Sequence, residues 1–406
     1  MRSLLPGSAT VDARRLVTAR SLRGFADGFV SVALASYLRD IGFSPIEVGA
    51  IVTSTLLGSA ALTLVVGFWA SGVPQRTVLI VATGLMAFTG FGFAGITEFW
   101  PLLVVAFAGT LNPSGGDVSV FLPVEQSLLT GAVADRDRTA LFARYNLGAI
   151  FAAALGALCS GLPVFFANRA EIDVTEAQRI AFALYGVLAL GLTLLYLGLQ
   201  QPEGLRRKAA PLKESRRIVL RLSALFSLDS LGGGLVVQSL LALWLFERFD
   251  LSVGATGTIF FAAGLCSAFS QLVAAWLARR IGLIRTMVYT HLPANLFLIL
   301  AALMPNVGLA VAFLLARMAL SQMDVPARQS YVMAVVPPEE RVTAASVTNV
   351  PRSLAAATTP LLAGLMLNAT SFGWPLIAAG LIKATYDLLL LRQFQSVRPP
   401  EEVAPA

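Results

Sequence analysis

The chain is a succession of long apolar runs separated by short polar breaks. Most runs are about 20 residues long, the length an α-helix needs to cross a bilayer. They lack the alternation of apolar and polar positions that transmembrane strands require. Helices, which satisfy their own backbone hydrogen bonds, are therefore predicted throughout. Twelve spans are drawn, near Arg20–Leu38, Ile46–Ala70, Thr77–Ile96, Pro101–Pro123, Leu141–Phe166, Ile180–Leu199, Val219–Phe246, Val253–Ala278, Leu283–Leu303, Val307–Val325, Thr343–Leu367 and Phe372–Leu391. The fourth is the least regular, because Asn112-Pro113-Ser114-Gly115-Gly116 interrupts it.

The apolar pattern also repeats. The stretch from Pro123 to Gly161 lies on Pro326 to Gly364 without a gap. Pro123/Pro326, Gln126/Gln329, Ser127/Ser330, Arg138/Arg341, Asn146/Asn349 and Gly161/Gly364 coincide, and the polar identities carry the match in so apolar a chain. Two homologous halves follow. We expect a first six-helix bundle over 1–200, a cytoplasmic linker over 201–217 and a second six-helix bundle over 218–406.

Basic residues orient the spans. Arg14, Arg15, Arg76, Arg136, Arg138, the linker group Arg206, Arg207, Lys208, Lys213 and Arg216, and then Arg279, Arg280, Arg285, Arg341, Arg392 and Arg398 all fall on one side of a twelve-span chain. The opposite loops hold Arg39, Arg169, Arg179 and Arg248. The excess of Lys and Arg marks the cytoplasmic side, so both termini and the linker are expected there. An odd number of spans would destroy this segregation.

Composition narrows the function. Charged residues are 13% of the chain, against about 25% in soluble domains, too few for a water-soluble surface. The net charge of +7 is accounted for by basic loops facing anionic lipid, so no nucleic-acid partner is expected. Cys159 and Cys266 both sit in apolar runs and read as packing residues. With one histidine they build no ordinary metal site, and no cofactor is expected. There is no phosphate-binding Gly-Lys-Ser/Thr loop and no enzyme constellation. Met1–Arg15 is polar and basic, without the apolar core of a cleavable signal peptide. The preference for Arg over Lys, with abundant Ala and Leu, is that of a GC-rich bacterial genome, and a bacterial inner membrane is the expected location.

Six plus six spans, a basic central linker and two homologous halves resemble the major facilitator superfamily over nearly the whole length. That family carries a Gly-x-Leu-Ala-Asp-Arg-x-Gly-Arg-Arg loop between spans two and three. Here the equivalent second-half segment is Leu277-Ala278-Arg279-Arg280-Ile281-Gly282-Leu283-Ile284-Arg285, with Arg279 at the acid's place. The first-half segment, Gly67 to Arg76, lacks the acid as well. Gly156-Ala157-Leu158-Cys159-Ser160-Gly161 is a degenerate form of the family's antiporter motif, and small residues so spaced also let helices approach closely. The resemblance implies an all-α membrane protein of twelve helices in two pseudo-symmetric bundles. Spans one, four, seven and ten would line a central cavity.

Each of those four spans carries an aspartate: Asp27, Asp117, Asp229 and Asp324. A charge at a span centre costs roughly 2.5–3.5 kcal/mol on insertion scales. Substrate or proton binding is one explanation and structural pairing the other. Arg23 precedes Asp27 by one helical turn, and Arg328 follows Asp324 likewise. Asp229 is favoured because Gly232-Gly233-Gly234 follows it and loosens the helix. Asn112 stands in the interrupted fourth span, Gln238 beyond the glycines of the seventh, and Arg317 inside the tenth, where it would neutralise an aspartate or hold an anion. Arg352 has the same choice on the eleventh span.

Glu125 and Arg328 sit two residues after the paired prolines with opposite charge. With Arg279 and Arg280 they are candidates for a cytoplasmic gate that pairs in one state and opens in the other. Lys383 and Asp387, one turn apart on the last span, read as a self-contained structural pair. His291, the one histidine, would suit a proton relay by its near-neutral pKa, but on a peripheral span and just before Pro293 it reads first as a lone hydrogen-bonded residue at a kink. The expected activity is alternating-access transport of a small solute, proton-coupled and outward, by a monomer surrounded by lipid. An organic-anion importer or facilitator and a non-transporting receptor on the same scaffold are the alternatives.

Overall fold

The computed structural model describes residues 5–69, 73–114, 120–134, 137–200, 211–337 and 339–397. Among them every regular element is a helix. The first six spans appear as α1 (Val11–Asp40), α2 (Pro45–Trp69), α3 (Gln75–Gly95), the pair α4 (Phe99–Ala108) and α5 (Phe121–Gly131), the pair α6 (Arg138–Cys159) and α7 (Leu162–Ala170), and α8 (Val174–Leu197). The rest are α9 (Arg216–Leu235), α10 (Gln238–Phe249), α11 (Val253–Ile281), α12 (Leu283–Leu303), α13 (Val307–Ser321), α14 (Asp324–Ala334), α15 (Arg341–Thr358), α16 (Pro360–Ala369) and α17 (Trp374–Phe394).

Ten helical stretches among the described residues are long and apolar enough to cross a membrane. The two expected spans that fall short do so for physical reasons. The first, α1, has the length, with 30 residues, but Arg20, Arg23 and Asp27 dilute its apolar character and are buried inside the protein instead. In the fourth, α4 ends at Ala108 and residues 109–114, with Asn112-Pro113 among them, are not helical. Large apolar side chains such as Trp100, Val104, Phe166, Leu184, Leu194 and Phe269 stand outward on the helices, a surface suited to lipid.

The chain forms two compact units. One comprises Met1–Gly204 with Val237–Phe261, the other Leu205–Val236 with Ala262–Ala406. Val237–Phe261 falls in the first unit because the helix of the seventh span ends at Leu235 and α10 packs on α1 and α2. Packing within the units repeats as the sequence does. In the first unit α1 lies on α6, α3 on α8, and α5 on α3 and α6. In the second, α9 lies on α15, α12 on α17, and α14 on α12 and α15.

Small residues make these contacts close. A Cβ on Gly28 would sit 2.0 Å from the carbonyl oxygen of Ala153. In the second unit a Cβ on Gly234 would sit 2.1 Å from that of Ala356. Gly156 and Gly161, from the degenerate motif, likewise meet the backbone of Phe25 and of Gly254. Helix approach is what that stretch does in this fold.

Candidate functional site: buried charge clusters

In the second unit four helices converge on one polar cluster. Asp229 comes from α9, His291 and Asn295 from α12, Asp324 and Arg328 from α14, and Lys383 and Asp387 from α17. All seven are buried. On α12, α14 and α17 the two polar residues are four apart, so each helix presents both on one face. The rest of the core beside them is apolar, with Phe226, Met287, Tyr331 and Tyr386 among its members.

Asp229 is the hub. Its Oδ1 accepts a 2.6 Å hydrogen bond from Lys383 Nζ, and its Oδ2 one of 3.4 Å from Arg328 Nη1. His291 Nε2 lies 3.8 Å from Oδ1. Arg328 Nη1 also reaches Asp324 Oδ2 at 3.2 Å. Behind the imidazole, Asp387 lies 3.0 Å from His291 Nδ1 and accepts a 2.8 Å hydrogen bond from Asn295 Nδ2. Arg352 on α15 donates through Nε to Ser230 at 3.1 Å.

The glycines after Asp229 serve contact rather than looseness. The helix α9 stays intact through them and ends only at Leu235. A Cβ on Gly232 would sit 2.9 Å from Lys383 Cγ. The bare backbone therefore lets the lysine stem lie along α9 and deliver its ammonium to Asp229.

The first unit buries a second cluster. Arg23 on α1 grips Glu125 on α5 at two points, Nη1 to Oε1 at 2.8 Å and Nη2 to Oε2 at 2.7 Å. The hydroxyls of Tyr145 and Tyr196 donate to the same carboxylate. The guanidinium lies 4.2 Å from the centre of the Phe121 ring. Such a fork on a planar carboxylate is the strongest ordinary ion-pair geometry. Arg23 is thus engaged with Glu125, rather than with Asp27 one turn away.

Two helix breaks meet in this unit. At the break in the fourth span, Asn112 Oδ1 accepts from the backbone and hydroxyl of Ser114. The next carbonyl, that of Pro113, accepts from both the N–H and the hydroxyl of Ser239, at 3.1 and 2.9 Å. Ser239 belongs to the first turn of α10, just past the break in the seventh span. Discontinuous helices facing each other are where transporters bind cargo.

The chain matches the Major Facilitator Superfamily over residues 16–319 and, in an overlapping second match, over 222–406. It belongs to that superfamily. Membership makes it a membrane transporter and not an enzyme. A sequence relative in Saccharomyces cerevisiae, described as "Uncharacterized membrane protein YJR124C", is 24% identical over 334 residues, covering 73% of this chain and 75% of the yeast protein. Among solved structures, a bacterial homolog of the human lysosomal transporter Spinster, inward-facing and occupied, superposes with a TM-score of 0.77 at 16% identity, over 97% of this chain and 98% of that one. A D-xylose-proton symporter superposes with a TM-score of 0.74 at 15% identity, over 93% and 96%.

Of the residues predicted for a cytoplasmic gate, Glu125 and Arg328 are each bonded to an opposite charge within their own unit. Arg279 and Arg280, at the end of α11, are exposed, and Arg280 stacks at 5.1 Å on the ring of Trp276. Asp27 is buried in α1. Asp117 lies outside the described residues. Gln238 opens α10 in the first unit while Asp229 sits in the second, so the two do not share a helix. Arg317 on α13 donates to Met318 Sδ at 3.2 Å, and its Nε is buried without a hydrogen-bond partner.

One expectation for span twelve is overturned. Lys383 and Asp387 are not a pair, since each binds a residue on another helix. His291 is hydrogen-bonded, as expected, and its place between two carboxylates goes beyond the expectation. The sequence held the signal. Two otherwise apolar helices each carried polar residues four apart, and buried charges on one helix need partners on another.

Proposed function

We propose that this chain is a secondary active transporter that moves a small solute by alternating access, driven by a proton gradient. The observation that carries the proposal is Asp229, a buried carboxylate inside a membrane-spanning helix held by Lys383 and Arg328. A site whose ion pairs change when one proton is added has the means to couple proton movement to a change of conformation. The fold shared with a D-xylose-proton symporter is consistent with that coupling. The chain works as a monomer in a bacterial inner membrane with both termini cytoplasmic, the orientation that the basic loops favour. Transport runs outward.

Arg317 favours a second reading of the cargo. Asp229, Asp324 and Asp387 are already bonded to basic residues or to His291, so the acids do not select a cation. The guanidinium of Arg317 keeps a buried N–H unused, a donor suited to a carboxylate or phosphate. On this reading the solute is an organic anion. A susceptibility and uptake screen comparing a deletion strain with one carrying Asp229→Asn identifies the solute and its direction. The expected result is the same phenotype in both strains. A deletion phenotype absent from the Asp229→Asn strain removes the proposed site.

A further inference from the structure

We propose that His291, clamped between Asp387 and Asp229, is a proton-binding site of this transporter, built on two helices outside the set predicted to line the cavity. The proposal rests on the proton-coupled reading above and names the group that loads the proton. Its basis is a mismatch between the imidazole and its surroundings.

Each ring nitrogen faces a carboxylate. Nδ1 lies 3.0 and 3.1 Å from the two oxygens of Asp387. Nε2 lies 3.8 Å from Oδ1 of Asp229. Neutral imidazole carries one N–H and one lone pair. With the hydrogen on Nδ1, the lone pair of Nε2 is turned toward Asp229. With the hydrogen on Nε2, the lone pair of Nδ1 is turned toward Asp387 at 3.0 Å, and the only donor it meets is Asn295 Nδ2, farther off at 3.3 Å. Either neutral form sets a lone pair against a negative group, and only the doubly protonated ring donates both ways. Asn295 Nδ2 fixes the far oxygen of Asp387 at 2.8 Å, so that carboxylate cannot turn from the ring without losing a hydrogen bond.

The remaining charges are accounted for from every helix packed around the ring. On α9 there is Asp229; on α14, Asp324 and Arg328; on α17, Lys383, Asp387 and the neutral Tyr386, whose ring meets the imidazole edge-on at 6.1 Å. Arg317 on α13 and Arg352 on α15 are two further cations within electrostatic reach of Asp229, the first donating to Met318 Sδ and the second to Ser230. Of these cations only Lys383 and Arg328 are bonded to the carboxylates, and neither reaches the face of Asp387 that meets the imidazole.

The proton has a defined next stop. It passes from Nε2 to Oδ1 of Asp229 when the two close from 3.8 Å to hydrogen-bond distance. The imidazole returns to its neutral form with Nδ1–H still donating to Asp387. Neutral Asp229 then holds Lys383 and Arg328 only as a hydrogen-bond partner, and the cluster loosens. His291 and Asp387 thus load the proton, and Asp229 spends it on the ion pairs.

The chain has one histidine, which makes the test direct. The full-length protein, labelled with ¹⁵N-histidine and purified without a histidine tag, gives one pair of imidazole nitrogen signals. Their shifts are followed from about pH 5 to pH 9, around the ordinary histidine range. The expected result is a titration within that range whose midpoint falls by about 1–3 pH units in Asp387→Asn, and falls again in Asp229→Asn. Signals that do not move with pH, or a midpoint indifferent to Asp387→Asn, overturn the proposal. The wild-type titration stands even if a variant fails to fold. Proton-driven solute flux in vesicles separates the two ideas. Flux without a titrating His291 removes this site and leaves the transport reading. A titrating His291 without proton-driven flux leaves the site and removes the coupling.

Discussion

Glu125 and Arg328 hold the same place in the two repeats and carry opposite charge, and each is bonded to an opposite charge at the start of its own bundle. Glu125 takes Arg23 on α1, and Arg328 takes Asp229 on α9. The duplication has kept the pairing of first and fourth spans while exchanging its sign. The two pairs differ in how completely they are satisfied. Glu125 has a forked guanidinium and two tyrosine hydroxyls. Asp229 has Lys383 to itself but shares Arg328 with Asp324 and His291 with Asp387. The carboxylate of the first cluster is fully enclosed by its own partners, whereas that of the second competes for two of its three.

The Arg23–Glu125 pair is therefore expected to dominate stability. Replacing Arg23 by Met leaves a buried carboxylate without its cation, which costs about 3–5 kcal/mol. The double replacement with Glu125→Met recovers most of that loss, since both charges leave together. Thermal unfolding of the purified protein, followed for both singles and the double, measures it.

Asp229 and Lys383 are expected to separate stability from activity. Lys383→Met alone leaves Asp229 with Arg328 and lowers both. Lys383→Met with Asp229→Asn restores the melting temperature toward wild type but not transport. Side-by-side melting and uptake assays check the pair. Recovery of uptake in the double variant assigns the lysine and aspartate a packing role only.

Glu340 ties the start of α9 from outside the membrane. Its carboxylate accepts from the hydroxyl of Ser215 and from the backbone N–H groups of Lys213, Glu214 and Ser215. These bonds, that of the Ser215 hydroxyl foremost, hold it below its ordinary value of 4.5, at about 2. A lowered folded-state pKa stabilises the fold fully above the ordinary value and loses that contribution as pH falls toward about 2. Wild type should therefore lose stability across that acid window and keep it at neutral pH. Glu340→Gln should melt lower at neutral pH and show a flatter pH profile between these values. Asp137, the equivalent residue in the first repeat, accepts from Ser8 at 2.6 Å, ahead of α1.

Gly28 is expected to tolerate no side chain. A Cβ 2.0 Å from the Ala153 carbonyl forces α1 and α6 apart, and overpacking of this kind costs typically about 1–3 kcal/mol. Gly28→Val should lower the yield of folded protein in membranes. Gly84, with nothing within 4 Å of its Cβ position, should accept alanine without loss.

Much of this architecture is written in the pattern of apolar runs. Helical spans, the break at Asn112-Pro113 and the duplication all follow from local composition and from polar identities at a fixed spacing. The partnerships of the buried charges are not local. Arg23 has Asp27 one turn away, yet its guanidinium reaches Glu125 on another helix, where it meets both carboxylate oxygens. Lys383 and Asp387 are neighbours in sequence but point to different helices. Sequence spacing gives the helix face a residue occupies, whereas its partner depends on which helices pack together. The seventh span reads as unbroken in sequence, yet α9 ends at Leu235, just past the glycines. The meeting of this break with Pro113 through Ser239 depends on two segments far apart in the chain.

The most direct test is flux driven by a proton gradient into vesicles holding either the wild-type protein or Asp229→Asn, using the solute that the strain comparison identifies. The wild type should accelerate several-fold when the gradient is imposed, and Asp229→Asn should stay at the level of empty vesicles while its melting transition shows it folded. Equal, gradient-driven flux from both proteins would contradict the role given to Asp229.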